Sequence, residues 1–260
     1  MKQILLCCIT SLTTCMSIPA LAEKFILENV EQEEDSFLAP VISLRGGVDL
    51  VEVGESQNVA ITIYEPAPNY FRVTNRSETK AVWGGFLGLD FSLGSSGKYH
   101  WQTGVSYYQT EKFHVEGLVE PFASSWIVDL DFDYSVKNQR ILFENKFLAA
   151  LNKRVSFYGL FGLGGAKNKA YDFVETPRDP LVAPDPPFAD KSVNSFSYSI
   201  GLGLEALIID DLFISLGYQF SDLGKIKLGE IDYPSATDES ISNDHTYANE
   251  FLLGLTYVYN

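Results

Sequence analysis

From Pro40 to the C-terminus, apolar and polar residues alternate with period two over eight separate stretches. Successive side chains of a β-strand point to opposite faces, so each stretch reads as a strand with one apolar and one polar face. Segment 40–53 puts Ile42, Leu44, Val48 and Leu50 on one parity and Ser43, Arg45, Gly47 and Asp49 on the other. Segment 81–93 alternates Trp83, Leu87, Leu89, Phe91 and Leu93 with Gly84, Gly88, Asp90 and Ser92. Segment 99–113 sets Trp101, Val105 and Tyr107 against Gln102, Gly104 and Ser106. Segment 138–151 gives Ile141, Phe143, Phe147 and Leu151 one face and Arg140, Glu144 and Lys146 the other; Asn145 falls on the apolar parity, against the pattern. Segment 155–167 is mixed, with Phe157 and Phe161 assigned to the apolar side. Segments 195–208 and 212–221 alternate cleanly, Leu202 against Gly203 and Leu216 against Gly217. The last strand, 247–259, sets Phe251, Leu253, Leu255, Tyr257 and Tyr259 against Glu250, Gly254 and Thr256.

The connections carry a second pattern. Those around 94–98, 152–154 and 209–211 are short, and those at roughly 54–80, 114–137, 168–194 and 222–246 are long. Strict alternation of short and long predicts an all-β fold: an eight-stranded antiparallel up-and-down transmembrane β-barrel with short periplasmic turns and long extracellular loops. Strands of about ten residues or more suffice to cross a bilayer at a tilt. A soluble barrel or sandwich is the competing reading. It has no reason to segregate loop lengths, and faces made of Gly, Ser, Asp, Arg and Glu suit a narrow lumen better than a merely soluble surface. Trp83, Trp101, Tyr107, Tyr198, Tyr218, Phe220, Tyr257 and Tyr259, near strand ends, would form interfacial girdles.

The N-terminus changes the compartment. Lys2, an apolar run from Ile4 and the Ala20-Leu21-Ala22 triplet read as a secretory signal peptide over 1–22. The run is too short for a spanning helix. All three cysteines, Cys7, Cys8 and Cys15, fall inside it, so the exported part would hold no disulfide and no thiolate metal site. A closed barrel can stand without cross-links because every strand is paired on both sides. Residues 23–38 read as an acidic periplasmic lead-in, and 39–260 as the barrel. The formal net charge is −15, with no basic stripe, which excludes a nucleic-acid partner. Mean hydropathy near zero is what alternating outward apolar and inward polar residues average to.

Taken as a set, this architecture with "YGLFGLGG" in the fifth strand and "YSIGLGLEALI" in the sixth resembles the small eight-stranded outer-membrane β-barrel family. That family includes opacity-type proteins and the transmembrane domain of outer-membrane protein A. The resemblance covers about residues 38–260. It implies a monomer in the outer membrane of a Gram-negative-type envelope, surrounded by outer-membrane lipid and lipopolysaccharide. It also implies recognition by the barrel insertion machinery through a C-terminal signal, carried here by Gly254, Tyr257 and Tyr259. The sequence departs from the usual signal at Leu252, where a polar residue is customary, and in ending on Asn260.

Candidate chemistry starts with the inward charges: Arg45, Asp49, Asp90, Arg140, Glu144, Lys146, Glu205 and Glu250. Inside a narrow barrel these pair into a structural network that fills the lumen, or they line a gated ion path. His100, His114 and His245 are the only histidines, and none is followed two residues later by serine, so no catalytic set is expected. Asp129, Asp131 and Asp133 share one strand face and could hold a divalent cation, but a solvated strand extension is the plainer reading. No metal or other cofactor is expected. The long loops, one of them the proline-rich stretch "ETPRDPLVAPDPPFAD", are where an extracellular partner would bind. The expected function is therefore non-enzymatic display of surface loops for adhesion, host contact or envelope integrity. The alternative is a small passive porin-like channel for hydrophilic solutes.

Overall fold

The computed structural model describes residues 38–64, 67–94, 98–124 and 130–259. The signal peptide and most of the acidic lead-in lie outside these residues. Eight long strands close into a ring: β1 (Leu38–Glu52), β4 (Ser77–Leu93), β5 (Tyr99–Glu120), β6 (Leu130–Ala150), β7 (Val155–Pro177), β8 (Lys191–Ile209), β9 (Leu212–Asp222) and β12 (Tyr247–Val258). Each pairs antiparallel with the next, β5 pairs with β6, and β1 closes on β12 from Val41↔Val258 to Val51↔Ala248. The closing seam is held on the inside by a hydroxyl pair, Ser43 to Thr256 at 2.7 Å. Short strands β2 (Gln57–Val59), β3 (Asn69–Val73), β10 (Ile226–Lys227) and β11 (Ser242–Asn243) belong to the long connections. Strand one runs Leu38–Glu52, beginning two residues before the expected segment 40–53.

In the lower part of the ring, toward the short turns, the predicted parity holds. Leu87, Ile141, Phe157, Phe161, Ile200, Leu202, Leu216, Phe251 and Leu253 are exposed, while Ser106, Arg140, Glu144, Gln219 and Glu250 are buried. A continuous outward belt of large apolar side chains is far more than a soluble monomer exposes. Aromatic rings stack along one rim of it, Phe91 on Trp101, Trp101 on Phe147 and Phe147 on Phe161. Asn145 does face outward, but under this ladder. Its Oδ1 accepts from Trp101 Nε1 at 3.1 Å and from the Thr103 hydroxyl at 3.0 Å, which explains a polar residue on the apolar parity.

The expected long loops at 114–137 and 168–194 are largely not loops. Strands β5, β6 and β7 run for 22, 21 and 23 residues, about twice what a bilayer crossing needs. Two irregularities mark where they leave the belt. One sits between Thr110 and Phe113 in β5, the other opposite Asp133–Ser135 in β7, where Asp172 takes a positive φ of 56°. An extra residue at a bulge flips every later side chain to the other face. Above the bulges the order of faces reverses. Past their bulges Phe113, Val115 and Val119 of β5 and Phe173 of β7 are buried inside, while Glu111, Lys112 and Glu116 lie exposed; β6 has no bulge, and its inward positions change in kind from Arg140 and Asn138 to Val136, Tyr134 and Phe132. The interior below is polar and the interior above is apolar. The connection left between β5 and β6 is only 121–129, and the one between β7 and β8 is 178–190.

Inward glycines do not all mark open space. A Cβ on Gly203 would lie 2.4 Å from Leu216 O and 2.6 Å from the Tyr158 ring, so Gly203 is the seat of that ring. It therefore cannot serve as a permissive inward control. Ser156, which borders the open lower lumen, can. Leu202→Arg is expected to cost about 2–4 kcal/mol of stability in lipid vesicles, whereas Ser156→Arg, able to reach Glu205 across the β7–β8 pair, costs less than about 1 kcal/mol. Reversible denaturant unfolding in vesicles checks this. Equal losses at the two positions would contradict the assignment of faces.

Candidate functional site: the sealed lumen and the loop-built cap

Strand β6 sends three charged side chains inward at Arg140, Glu144 and Lys146, and each meets a partner from another wall. Arg45 of β1 reaches Glu144 at 2.7 Å, Arg140 reaches Glu250 of β12 at 2.6 Å, and Lys146 binds Glu205 of β8. Beside each cation lies an inward aromatic ring. Phe86 is 5.6 Å from Arg45, Tyr108 is 5.1 Å from Arg140 and Tyr158 is 4.6 Å from Lys146. The Tyr108 hydroxyl also donates to Glu144 at 2.9 Å. Above these layers Asp49 accepts from Thr110 at 2.9 Å, and below them Asp90 faces His100 at 3.2 Å. All eight predicted inward charges therefore point into the lumen, six of them in three cross-lumen pairs. The sequence reading missed Phe86, Tyr108 and Tyr158. They share the inward parity, but aromatic residues had been assigned to the outer face.

This packing places three ion pairs and three aromatic rings in the middle of the lumen. Arg140 and Glu250 are both fully buried in mid-barrel. Gly217, like Gly203, faces Tyr158: a Cβ there would fall well inside contact distance of the Tyr158 hydroxyl. At Gly201 a Cβ would lie 2.7 Å from Tyr218 O, so that glycine too is closely covered. Gly254, expected in the insertion signal, has a second reason to be glycine: a Cβ would crowd Ser215 Oγ at 2.4 Å and the Arg45 side chain at 3.4 Å. Tyr257 and Tyr259 face outward beside it, and Tyr259 N–H donates to Pro40 O at 2.9 Å.

Above the ion pairs the ring is filled by a second core of different composition. Val51 from β1, Val53 just past its end, Ile61 and Phe71 from the first connection, Phe188 from the third, and Leu223, Ile226, Leu228 and Ile231 from the fourth pack against the tall β5–β6–β7 wall. Phe71 meets Phe132 edge-on at 5.5 Å, and Phe188 meets Phe173 edge-on at 5.0 Å. Burying each such side chain is worth roughly 1.5–3 kcal/mol. Polar stitches join the connections over this core. Gln57 and Ser242 exchange two hydrogen bonds, at 2.9 and 3.1 Å, Glu239 accepts from Ala60 N–H at 2.7 Å, and Gly229 N–H donates to Ala189 O at 2.7 Å. Asn69 ties the first connection to the second and third, accepting from Phe122 N–H and donating to Asp185. The result is a cap, from which Ile63, Tyr64, Phe122, Leu181 and Tyr233 project into solvent; Leu181 is 92% and Tyr64 79% exposed.

The "Outer membrane protein beta-barrel domain" family model matches residues 31–258. The chain belongs to this family. It is accordingly an outer-membrane protein of a Gram-negative-type envelope, with the short turns toward the periplasm and the cap outside. Among curated relatives, "Outer membrane protein PagN" of Salmonella typhimurium is 30% identical over 71 residues, an alignment spanning 26% of this chain and 29% of PagN. Among solved structures, OprG of Pseudomonas aeruginosa is 15% identical, with 85% of this chain and 97% of that one covered and a TM-score of 0.46. The outer membrane protease OmpT of Escherichia coli is 9% identical, with 89% and 99% covered and a TM-score of 0.45. At these values neither structure bears on activity.

The three histidines each face a carboxylate, His100 with Asp90, His114 with Asp133 at 3.4 Å and His245 with Asp222 at 2.8 Å. Asp131 is held by Arg178 at 2.8 Å, so Asp131 and Asp133 have separate partners, Arg178 and His114, on a solvated wall; Asp129 lies outside the described residues. Among the described residues no cluster of ligands fit for a metal ion is found.

Two expectations follow. Removing one member of a buried pair strands the other. Glu250→Leu alone should therefore lose about 3–5 kcal/mol, and Arg140→Met with Glu250→Leu should recover most of it; denaturant unfolding of the three proteins in vesicles measures this. The cap carries its own pH response. Burial first, and then nearby Asp185, push the Glu175 carboxyl up to about 7 from an ordinary 4.5, although it accepts from Asp185 N–H at 2.9 Å. The folded cap thus binds the extra proton between about 4.5 and 7. Its stability is full below that window and falls as pH rises through it. Hydrogen exchange at the Asp185 amide should speed up from pH 5 to 8 beyond the intrinsic rate, and Glu175→Gln should flatten that rise.

Proposed function

We propose that this barrel is a non-enzymatic surface protein that holds a preformed contact surface outside the cell for adhesion or host contact. The observation that carries this reading is the cap: a buried apolar core fixes the first, third and fourth connections from within while leaving large apolar side chains exposed at their tips. A surface ordered before binding avoids the entropy cost of ordering loops on contact. Exposed aromatic and aliphatic anchors are the residue types that dominate contact energies. Phe122 is held at φ 55°, a conformation an aromatic residue adopts only when its surroundings impose it, and that argues for a shaped tip. The histidine–carboxylate pairs have no evident nucleophile to serve. The porin-like alternative meets three ion-pair layers and a filled mouth. In this reading the protein is a monomer embedded in outer-membrane lipid and lipopolysaccharide, and the insertion machinery reads the strand carrying Gly254, Tyr257 and Tyr259.

The test is expression on a non-adherent Gram-negative host. Binding of those cells to epithelial monolayers should rise with the wild-type protein and fall at least about tenfold with Tyr64→Ser, Leu181→Ser and Tyr233→Ser combined, with heat-modifiable migration unchanged. Planar-bilayer recording of the same preparation should show no discrete steps. Unitary conductance would favour the channel instead, and folded, displayed protein without any gain in binding would remove the adhesive role.

A further inference from the structure

On the outside of the barrel, the wall made by β6, β7 and β8 changes character over three neighbouring rows. The last apolar row sets Ile141, Gly165 and Phe196 side by side across the three strands. Two residues further from the short turns come Gln139, Lys167 and Asn194, and two further again Lys137, Lys169 and Ser192. All six of these polar residues are exposed. Two residues of a tilted strand rise roughly 5 Å, so the lysines stand about 5–10 Å above the last apolar row, at the depth of the outer leaflet's headgroups. The upper ends of β1 and β12, elsewhere on the ring, carry Glu52, Asn249 and Tyr247 instead. The cations thus form a patch on one wall of a chain whose net charge is −15.

Lys137 and Lys169 lie directly opposite each other across the β6–β7 pair, and both ammonium groups sit over one ring, that of Tyr171, at 5.3 and 5.0 Å. Like charges directly opposite on a sheet repel. Lys169 has one counter-ion, Asp190 at 3.0 Å, whereas Lys137 and Lys167 make no ion pair among the described residues. Lys112 and Glu111 of β5 stand beside them and offset each other in charge. An anion held among the three ammonium groups relieves the repulsion through charge-assisted hydrogen bonds. The amide row beneath is ordered: Gln139 Nε2 donates to Gln109 Oε1 at 3.4 Å, and the same oxygen accepts from the Tyr107 hydroxyl at 2.9 Å. Below that row the belt has a notch. A Cβ on Gly165 would meet only Ser195 O, at an ordinary 3.7 Å, so the space outside it is open between the Ile141 and Phe196 side chains.

We infer that this wall seats one phosphorylated glycolipid of the outer leaflet. Its phosphate accepts from Lys137, Lys167 and Lys169, its sugar hydroxyls meet the amides of Gln139 and Asn194, and one acyl chain lies in the notch over Gly165. The inference rests on the barrel's being embedded in lipopolysaccharide, as proposed above, and turns that general surrounding into one site of defined stoichiometry. It stands independently of the adhesive role of the cap.

The experiment is native mass spectrometry of the full barrel released from detergent micelles that contain equal amounts of bisphosphorylated lipid A and lipid A stripped of its phosphates. One bisphosphorylated molecule per barrel should be retained, at least about tenfold in preference to the stripped lipid. Lys137→Gln, Lys167→Gln and Lys169→Gln combined should abolish that preference. Lys98→Gln, Lys153→Gln and Arg154→Gln combined remove as much charge at the periplasmic turns and should leave it intact. Gly165→Leu fills the notch with every lysine in place and should weaken retention, and excess inorganic phosphate should not displace the lipid. Heat-modifiable migration of each variant reports the barrel itself, so lost lipid with intact migration is a failure of the site and not of the membrane assignment. Equal retention of the two lipids, unchanged retention in the lysine or the glycine variant, or displacement by inorganic phosphate would overturn the inference.

Discussion

Three charges on one strand govern this molecule. Arg140, Glu144 and Lys146 project from β6 into a lumen wide enough only for side chains, where an unpaired ion would be prohibitively costly. Each therefore needs an opposite charge at contact distance, and the partners come from β1, β12 and β8. Because β12 lies diametrically across the ring from β6, the Arg140–Glu250 contact constrains the stagger of half the barrel at once. Phe86, Tyr108 and Tyr158 then fill the space left beside the cations, and Gly203 and Gly217 leave room for the Tyr158 ring, which reaches over the neighbouring strands β8 and β9. The middle of the barrel is crowded by these ion pairs and rings.

The second constraint is a change of solvent along the strands. In the belt the outside meets hydrocarbon, so polar groups turn inward. Above it the outside meets water, so apolar groups turn inward. Strand β6 makes that exchange by pattern alone, through the polar run 137–140, whereas an added residue in β5 near Glu111–Lys112 and another at Asp172 in β7 accomplish it there. The upper part is in effect a small water-soluble β-core mounted on a membrane anchor, sharing three continuous strands with it.

The same exchange decided what could be read from the amino acids. Parity in 195–221 and 247–259 is unbroken, so the strands and their inward charges were legible there to the residue. Beyond the bulges the alternation persists with opposite sense. Looked for as apolar outside and polar inside, "EKFHVEGLVE" resembles a charged loop, although Phe113, Val115, Gly117 and Val119 mark a strand as regular as any below. Asn145 was legible as an exception but not as a solution, because its partners Trp101 and Thr103 come from the neighbouring strand. Gly203 looked like vacant space because one residue's parity says nothing of a tyrosine reaching over from β7.

The cap core has a consequence for how this surface can change over time. Val59, Ile61, Phe71 and Phe188 hold the connections in place from beneath, whereas Ile63, Tyr64, Leu181 and Tyr233 touch little of that core. The residues at the outer tips and the residues that keep the surface folded are thus separate sets, a few positions apart in the chain. Substitutions at the tips can accumulate with little penalty in folding, so the outer face can drift while the architecture beneath stays put.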